Sequence, residues 1–327
     1  MKHLRLLPDR TEFKFIAFHK VAYAISIAAI IASAIGFTTM GLNFGIDFRG
    51  GTSIEVRTAE RLDIGRMKSA LTPLSGELGD IQVVEYGETN EARISVVRQM
   101  VASDDPLAEE KAQTEATNKV KAALVDAYGE DGITFLQTEV VGGIVSSELI
   151  SQGIWAVTIA VFMMLVYIWF RFEWQFSLGA VLALVHDVIL TIGVFSFLQL
   201  EFNLSIIAAL LTIVGYSMND TVVVYDRVRE NLRKYKRLEL SALIDRSINE
   251  TLSRTAVTSL TTLLALLSLY FLGGKTLEGF TFAMIWGVVV GTYSSIFVAA
   301  PLLLVTGVKR DWSGIENRPA SVRAGAG

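Results

Sequence analysis

The chain has 327 residues, of which 52% are hydrophobic and 19% charged, with a formal net charge of −4 and a mean hydropathy of +0.47. This composition is too apolar for an ordinary soluble domain, and the acidic balance gives no indication of nucleic-acid binding. Because the chain has no cysteine, disulfides, thiolate metal sites and a cysteine nucleophile are excluded.

The first apolar run lies at residues 21–40, and Lys2, Arg5 and Arg10 precede it. The run is long enough to cross a bilayer as a helix. It continues past Ala32-Ser33-Ala34, which imitates a signal-peptidase site, and therefore predicts an anchor that is not cleaved. Residues 1–40 are thus predicted to be a cytoplasmic N-terminus followed by the first span.

Residues 41–152 are soluble in character and predict a domain inserted between the first two spans. Their pattern predicts strands at 52–58, 81–86, 92–97 and 133–141, and helices at 62–74 and 106–128. The order β-α-β-β-α-β is that of a ferredoxin-like α+β domain, which carries no chemistry of its own. The glycines at 45–51 permit a sharp turn from the first span into this domain.

Residues 153–308 are predicted to be a five-helix bundle with apolar runs at 154–170, 178–198, 204–225, 256–272 and 277–305. The segment 226–254 carries basic residues and an apolar stripe, which predict helices lying on the cytoplasmic membrane surface. Basic residues in the short loops predict cytoplasmic termini, including the tail at 309–327, and an external domain at 41–152. The predicted fold is an α-helical membrane protein with six transmembrane helices plus a periplasmic ferredoxin-like domain between spans one and two.

The fourth run contains Asn219-Asp220-Thr221 among aliphatic residues. A charged side chain at a helix centre costs about 2.5–3.5 kcal/mol on insertion scales, and such residues usually face a bundle interior. Tyr216 and Ser217 precede Asp220 by four and three residues, so these three side chains share a helix face. The alternative is that Asp220 marks the end of the span and reaches cytoplasmic water.

A second intramembrane acid, Asp187, follows His186 within the third run. Two interpretations stay open: a proton relay beside Asp220, or a locally neutralised pair that fixes helix packing. Arg254 precedes the fifth run, where Thr255, Thr258 and Thr262 share one helix face, with Ser259 adjacent, and predict a polar seam facing the bundle. Taken alone, Arg254 is better explained by an anchor whose side chain reaches the headgroups.

Gly274-Lys275-Thr276 imitates the end of a phosphate-binding loop. Such a loop needs a glycine five positions before Gly274, where this chain has Leu269. No nucleophile motif is found either. The sequence therefore predicts a protein that is not an enzyme and binds no nucleotide, cofactor or metal.

Four segments resemble the SecF family of the resistance-nodulation-division superfamily. They are Gly-Ile-Asp-Phe-Arg-Gly-Gly at 45–51, Val-His-Asp-Val at 185–188, Gly-Tyr-Ser-Met-Asn-Asp-Thr-Val-Val-Val-Tyr-Asp-Arg at 215–227 and Thr-Leu-Ser-Arg-Thr at 251–255. The resemblance implies a subunit of the bacterial inner membrane that pairs with SecD. It also implies work beside the SecYEG channel, with accessories such as YajC, on unfolded exported polypeptides.

The resemblance further implies that the proton gradient, without ATP, helps to pull exported proteins outward. The family's fourth-span acid maps onto Asp220, and its basic residue before the fifth span maps onto Arg254. The predicted proton-coupling residues are therefore Asp220, Arg254, Asn219 and Asp187. Two alternatives are half of a proton-driven small-molecule or lipid exporter and a purely structural membrane partner, which would make no demand on Asp220.

Overall fold

The computed structural model describes residues 11–86, 89–99, 106–141 and 143–308. These residues contain six helices long and apolar enough to cross a membrane. The chain is thus a multi-pass membrane protein, as predicted. The basic residues Lys2, Arg5 and Arg10 and the tail at 309–327 lie outside the described residues. The spans are α1 (His19–Met40), α6 (Gly143–Arg171), α7 (Trp174–Leu198), α8 (Leu204–Lys234), α9 (Leu240–Leu272), and α10 (Lys275–Ser294) with α11 (Ala300–Thr306).

The helix α8 is the centre of the bundle, since it packs against α6, α7, α9 and α10. Its 31 residues extend about 46 Å at 1.5 Å per residue, well beyond the ~30 Å hydrocarbon core. The last span is interrupted by a five-residue π-helical segment, Ser295–Ala299, which we call the π turn. A π turn inside an α-helix is uncommon and often lies at a functional site.

The prediction of separate surface helices at 226–254 is wrong. The helix α8 continues unbroken to Lys234 and α9 begins at Leu240, so only residues 235–239 connect the two. The apolar stripe that suggested a membrane-surface helix is buried instead: Leu243, Ile244 and Ile248 join the bundle core. Burial against neighbouring helices therefore replaces the expected contact with headgroups.

The inserted domain is a four-stranded antiparallel sheet in the order β3-β4-β2-β5. The strands are β2 (Gly51–Thr58), β3 (Ile81–Glu85), β4 (Glu91–Val97) and β5 (Ile133–Val141). Apolar side chains of the sheet and of the helices α3 (Ile64–Leu71) and α5 (Pro106–Tyr128) form one core. The ferredoxin-like prediction is confirmed, except that the helix predicted at 62–74 is shorter. It ends at Leu71, and a 3₁₀ turn at Thr72–Leu74, which holds Pro73, leads into the short helix α4 (Ser75–Leu78).

A joint connects the inserted domain to the bundle. Strand β1 (Asn43–Phe44) pairs in parallel with β6 (Glu201–Phe202), which lies between α7 and α8. The short helix α2 (Ile46–Arg49) follows, and the Asp47 carboxylate accepts a hydrogen bond of 3.0 Å from the backbone N–H of Leu204. Asp47 thus caps an unsatisfied N–H at the start of α8. The joint therefore ties the inserted domain to the helix that carries Asp220.

A cavity of about 490 Å³ lies at this joint, between the inserted domain and the helix ends. Arg93 lines it, and its guanidinium lies 2.9 Å from a Glu55 carboxylate oxygen and 3.8 Å from one of Glu201. Because Glu55 belongs to the inserted domain and Glu201 to the segment before α8, Arg93 bridges the two parts electrostatically.

Candidate functional site

Two acids are buried at neighbouring positions in the bundle. Asp187 on α7 is 0% exposed and Asp220 on α8 is 8% exposed. Asp220 is therefore not at a water-exposed helix end, the alternative left open by its sequence. The continuation of α8 beyond it keeps its backbone helical, and the surrounding helices remove it from solvent.

Asp220 is held by two neutral hydroxyl groups. Thr255 on α9 donates a hydrogen bond of 2.7 Å to Oδ1, and Ser295, the first residue of the π turn, donates to Oδ2. A hydroxyl can donate to a carboxylate or accept from a protonated acid. Both protonation states of Asp220 can thus be hydrogen-bonded in the same place.

Arg254 does not form an ion pair with Asp220 among the described residues. Its side chain is exposed, although the next residue, Thr255, donates a hydrogen bond to Asp220. Arg254 is nevertheless close enough for its positive charge to act on the Asp220 carboxyl. Any influence of Arg254 on the Asp220 carboxyl is therefore electrostatic and acts through space.

Asn219 does not join this site. It lies on an exposed part of α8, whereas its neighbour Asp220 is turned into the bundle. Adjacent residues on a helix point about 100° apart, so one can face the interior while the next faces outward. The prediction that Asn219 belongs to the proton-coupling set finds no contact to support it among the described residues.

Asp187 accepts three hydrogen bonds from buried partners. His186 Nδ1 lies 2.8 Å from Oδ1, while Ser217 and Ser294 donate to Oδ2 over 2.5 and 2.7 Å. The contact with His186 that the second interpretation required is thus present. Ser217 was predicted to share the Asp220 face of α8, but its hydroxyl binds Asp187 on the neighbouring helix.

The serines Ser294 and Ser295 were missed by the sequence reasoning. They are adjacent residues, yet Ser294 binds Asp187 and Ser295 binds Asp220. The π turn begins at Ser295, whose carbonyl accepts from the N–H of Ala300 five residues later. Two consecutive hydroxyl residues inside the last apolar run are a sequence signal that could have identified them.

The predicted polar seam on α9 is present in part. Ser259 accepts a hydrogen bond of 3.2 Å from the Tyr216 hydroxyl and lies 2.8 Å from the Thr292 hydroxyl. It therefore links α9 to both α8 and α10. Thr258, by contrast, is exposed, so the seam turns into the bundle only along the line of Thr255 and Ser259.

Comparison with known proteins identifies the family of such a bundle. Residues 120–309 match the family described as protein export membrane protein SecD/SecF, C-terminal, and residues 35–60 match the SecD/SecF GG motif. Protein translocase subunit SecF of Rhodobacter capsulatus is 45% identical over 313 residues, which cover 94% of this chain and 93% of the relative. The SecF subunit of Rickettsia akari is 44% identical over 300 residues, 92% of this chain and 94% of the relative.

Solved structures agree with these relatives. The crystal structure of SecDF, a translocon-associated membrane protein from Thermus thermophilus, superposes with a TM-score of 0.78 at 35% identity. SecDF in its super-membrane-facing form superposes with a TM-score of 0.66 at 35% identity, over 91% of this chain and 39% of that one. The match to the first structure covers 92% of this chain but only 40% of the solved chain.

Proposed function

This chain belongs to the SecF family of protein-export membrane proteins, and we propose that it is a proton-coupled accessory subunit of the Sec translocase. In this proposal the subunit promotes outward movement and release of exported polypeptides, and proton flow through the membrane supplies the energy. Neither nucleotide nor another cofactor takes part. Asp220 carries the proton, and Arg254 acts on it electrostatically.

The observation that carries the proposal is the environment of Asp220. The side chain is 8% exposed within a span, and its hydrogen bonds come from the hydroxyls of Thr255 and Ser295. A carboxylate there bears a desolvation cost, whereas a protonated acid does not. Binding or release of one proton therefore changes the balance of forces between α8, α9 and the π turn.

The available energy is sufficient for such a step. One charge moving across the membrane potential is worth about 2.3 kcal/mol per 100 mV. This is comparable to the cost of about 2.5–3.5 kcal/mol for a charged side chain at the centre of a span. A gradient of ordinary size can thus drive a change of the proton occupancy of Asp220.

The proposed partners follow from the exposed surfaces of the bundle. Within the apolar 18-residue stretch of each helix, only 11% of α6 and 6% of α9 is buried inside the chain. We propose that SecD covers part of this surface, completing a twelve-span unit of which this chain is one half. The unit would act beside SecYEG in the inner membrane, with accessories such as YajC.

The proposed orientation places the inserted domain in the periplasm and residues 235–239 in the cytoplasm. Cysteine labelling can test it because the native chain has no cysteine. We expect a membrane-impermeant thiol reagent to label Glu115→Cys in intact spheroplasts, and Lys236→Cys only in inverted vesicles. Both native side chains are exposed in the structure. The reverse pattern would contradict the orientation and the direction of export.

The function itself is tested by export into inverted vesicles that contain or lack this chain together with SecD. A slowly translocating protein is followed with the proton gradient intact or collapsed by an uncoupler. We expect the gradient to accelerate the late phase of export only in vesicles that contain both subunits. Equal acceleration in vesicles lacking this chain would refute the proposal.

A further inference from the structure

Beyond Asp220 itself, the bundle contains a physical connection between its two buried acids. Ser294 donates to Asp187, Ser295 donates to Asp220, and the two serines are adjacent on one backbone. We propose that this serine pair couples the proton occupancy of Asp220 to that of the His186–Asp187 pair. The functional meaning of the coupling rests on the proposed role of Asp220, whereas the coupling itself can be measured separately.

Each serine has a second acceptor within reach. The Ser294 hydroxyl lies 3.1 Å from the carbonyl of Gly291, and the Ser295 hydroxyl lies 3.0 Å from the carbonyl of Thr292. A serine hydroxyl carries one proton and two lone pairs. It donates to an ionised carboxylate, but it accepts from a protonated acid and is then free to donate to its backbone carbonyl. Each serine therefore has two hydrogen-bonded states, selected by the acid that it faces.

The π turn makes the two serines respond together. Neighbouring helix residues point about 100° apart, which lets Ser294 face α7 while Ser295 faces α8. Because the π turn starts at Ser295, its hydrogen-bonding pattern changes directly beside both hydroxyls. A shift of the helix that improves one serine–acid contact consequently alters the other.

The His186–Asp187 pair is suited to hold an exchangeable proton. Both side chains are buried, and His186 Nε2 has no hydrogen-bond partner among the described residues. A doubly protonated imidazole would leave a buried N–H unpaired, and a neutral imidazole would leave the Asp187 carboxylate without a cation. Either arrangement carries a cost. The nearby titratable or charged groups include Tyr293, stacked on His186, Tyr216 on α8, and Arg254 on α9. They also include Tyr225, whose hydroxyl donates to the Ala299 carbonyl in the π turn.

The test is infrared difference spectroscopy on the purified complex of this chain with SecD. The carboxyl stretch of Asp220 is assigned with Asp220→Asn, and its pH midpoint is then measured in further variants. Ser294→Ala removes one hydrogen-bond donor to Asp187 and leaves Thr255 and Ser295, the two donors to Asp220, unchanged. We expect it to move the Asp220 midpoint by about 1 pH unit, the strength of interaction above which two sites titrate as a coupled pair.

Two further variants make the result decisive. Ser217→Ala removes a different donor from Asp187 and should also move the Asp220 midpoint, which guards against a folding defect in one variant. Thr191→Val is the matched control, because the buried Thr191 hydroxyl binds the backbone carbonyl of Asp187 and not its carboxylate. It should leave the midpoint unchanged.

An unchanged Asp220 midpoint in both Ser294→Ala and Ser217→Ala would overturn the coupling, as would a midpoint that Thr191→Val moves equally. No proton gradient or exported protein is present in this measurement. Failure of the coupling is therefore distinguishable from failure of the proposed function, which is decided by the export assay.

Discussion

Asp220→Asn is expected to abolish the proton-gradient stimulation of export, while the chain should still assemble with SecD. This is the expected result if Asp220 carries the coupled proton. Asparagine has nearly the same shape, and its amide oxygen can accept the hydrogen bond from Thr255. The Ser295 hydroxyl can accept from the amide NH₂ and donate to the Thr292 carbonyl 3.0 Å away. Packing is thus preserved, but no proton can be bound or released.

The membrane potential sets an upper limit to the loss of export stimulation. About 2.3 kcal/mol per charge at 100 mV corresponds to a factor of roughly 50 in a rate constant. The measurement is export of a slow substrate in vesicles with and without a gradient, together with co-purification of SecD. Asp226→Asn is the control, since Asp226 is an exposed acid on the same helix and pairs with Arg171 near the end of α8. It should retain stimulation; retained stimulation in assembled Asp220→Asn complexes would leave Asp220 with only a structural role.

A related prediction concerns the Arg254 side chain. Among the described residues Arg254 is exposed and forms no ion pair with Asp220, so Arg254→Ala should reduce the stimulation without disturbing the fold. If Arg254 acts only through Asp220, the double variant should be no worse than Asp220→Asn alone. Additive losses would show that Arg254 acts through another group, such as a headgroup or the partner subunit.

The sequence was sufficient to predict what depends on composition and local pattern. The six spans and the order of the inserted domain follow from apolar length and period, and the cost of a charge in lipid favoured the burial of Asp220. The contact of His186 with Asp187 was one of two interpretations that their adjacency within one span left open. These features depend on residues close to each other in the chain, or on the bilayer itself.

Features that depend on the rotation of one helix against another were not predictable. Whether Ser217 binds Asp220 or Asp187 depends on how α8 is turned toward α7, and three-residue spacing alone could not decide it. The link through Ser294 and Ser295 requires both the π turn and the close approach of α7, α8 and α10. The surface-helix prediction for 226–254 failed for a related reason. An apolar stripe shows that one helix face is covered, but lipid and protein can cover it equally well.

Gly51→Ala is expected to destabilise the inserted domain strongly. Gly51 begins the strand β2, between β4 and β5, and has a φ of +128°. A Cβ at this position would lie 2.1 Å from the backbone carbonyl oxygen of Val96. The clash is with a paired strand, so no side-chain rotation can relieve it. Unfavourable backbone conformations alone cost about 1–3 kcal/mol, and the displaced strand pairing adds to that cost.

The consequence should reach the bundle through the joint, because Gly51 directly follows the segment in which Asp47 caps α8. We expect the inserted domain of Gly51→Ala to be cleaved by protease at least about tenfold faster in the assembled membrane complex, since tenfold corresponds to only about 1.4 kcal/mol. Gly76→Ala is the matched control: Gly76 lies in the short helix α4, and an added Cβ meets nothing within 4 Å. Equal protease resistance of the two variants would mean that the β2–β4 contact yields without cost.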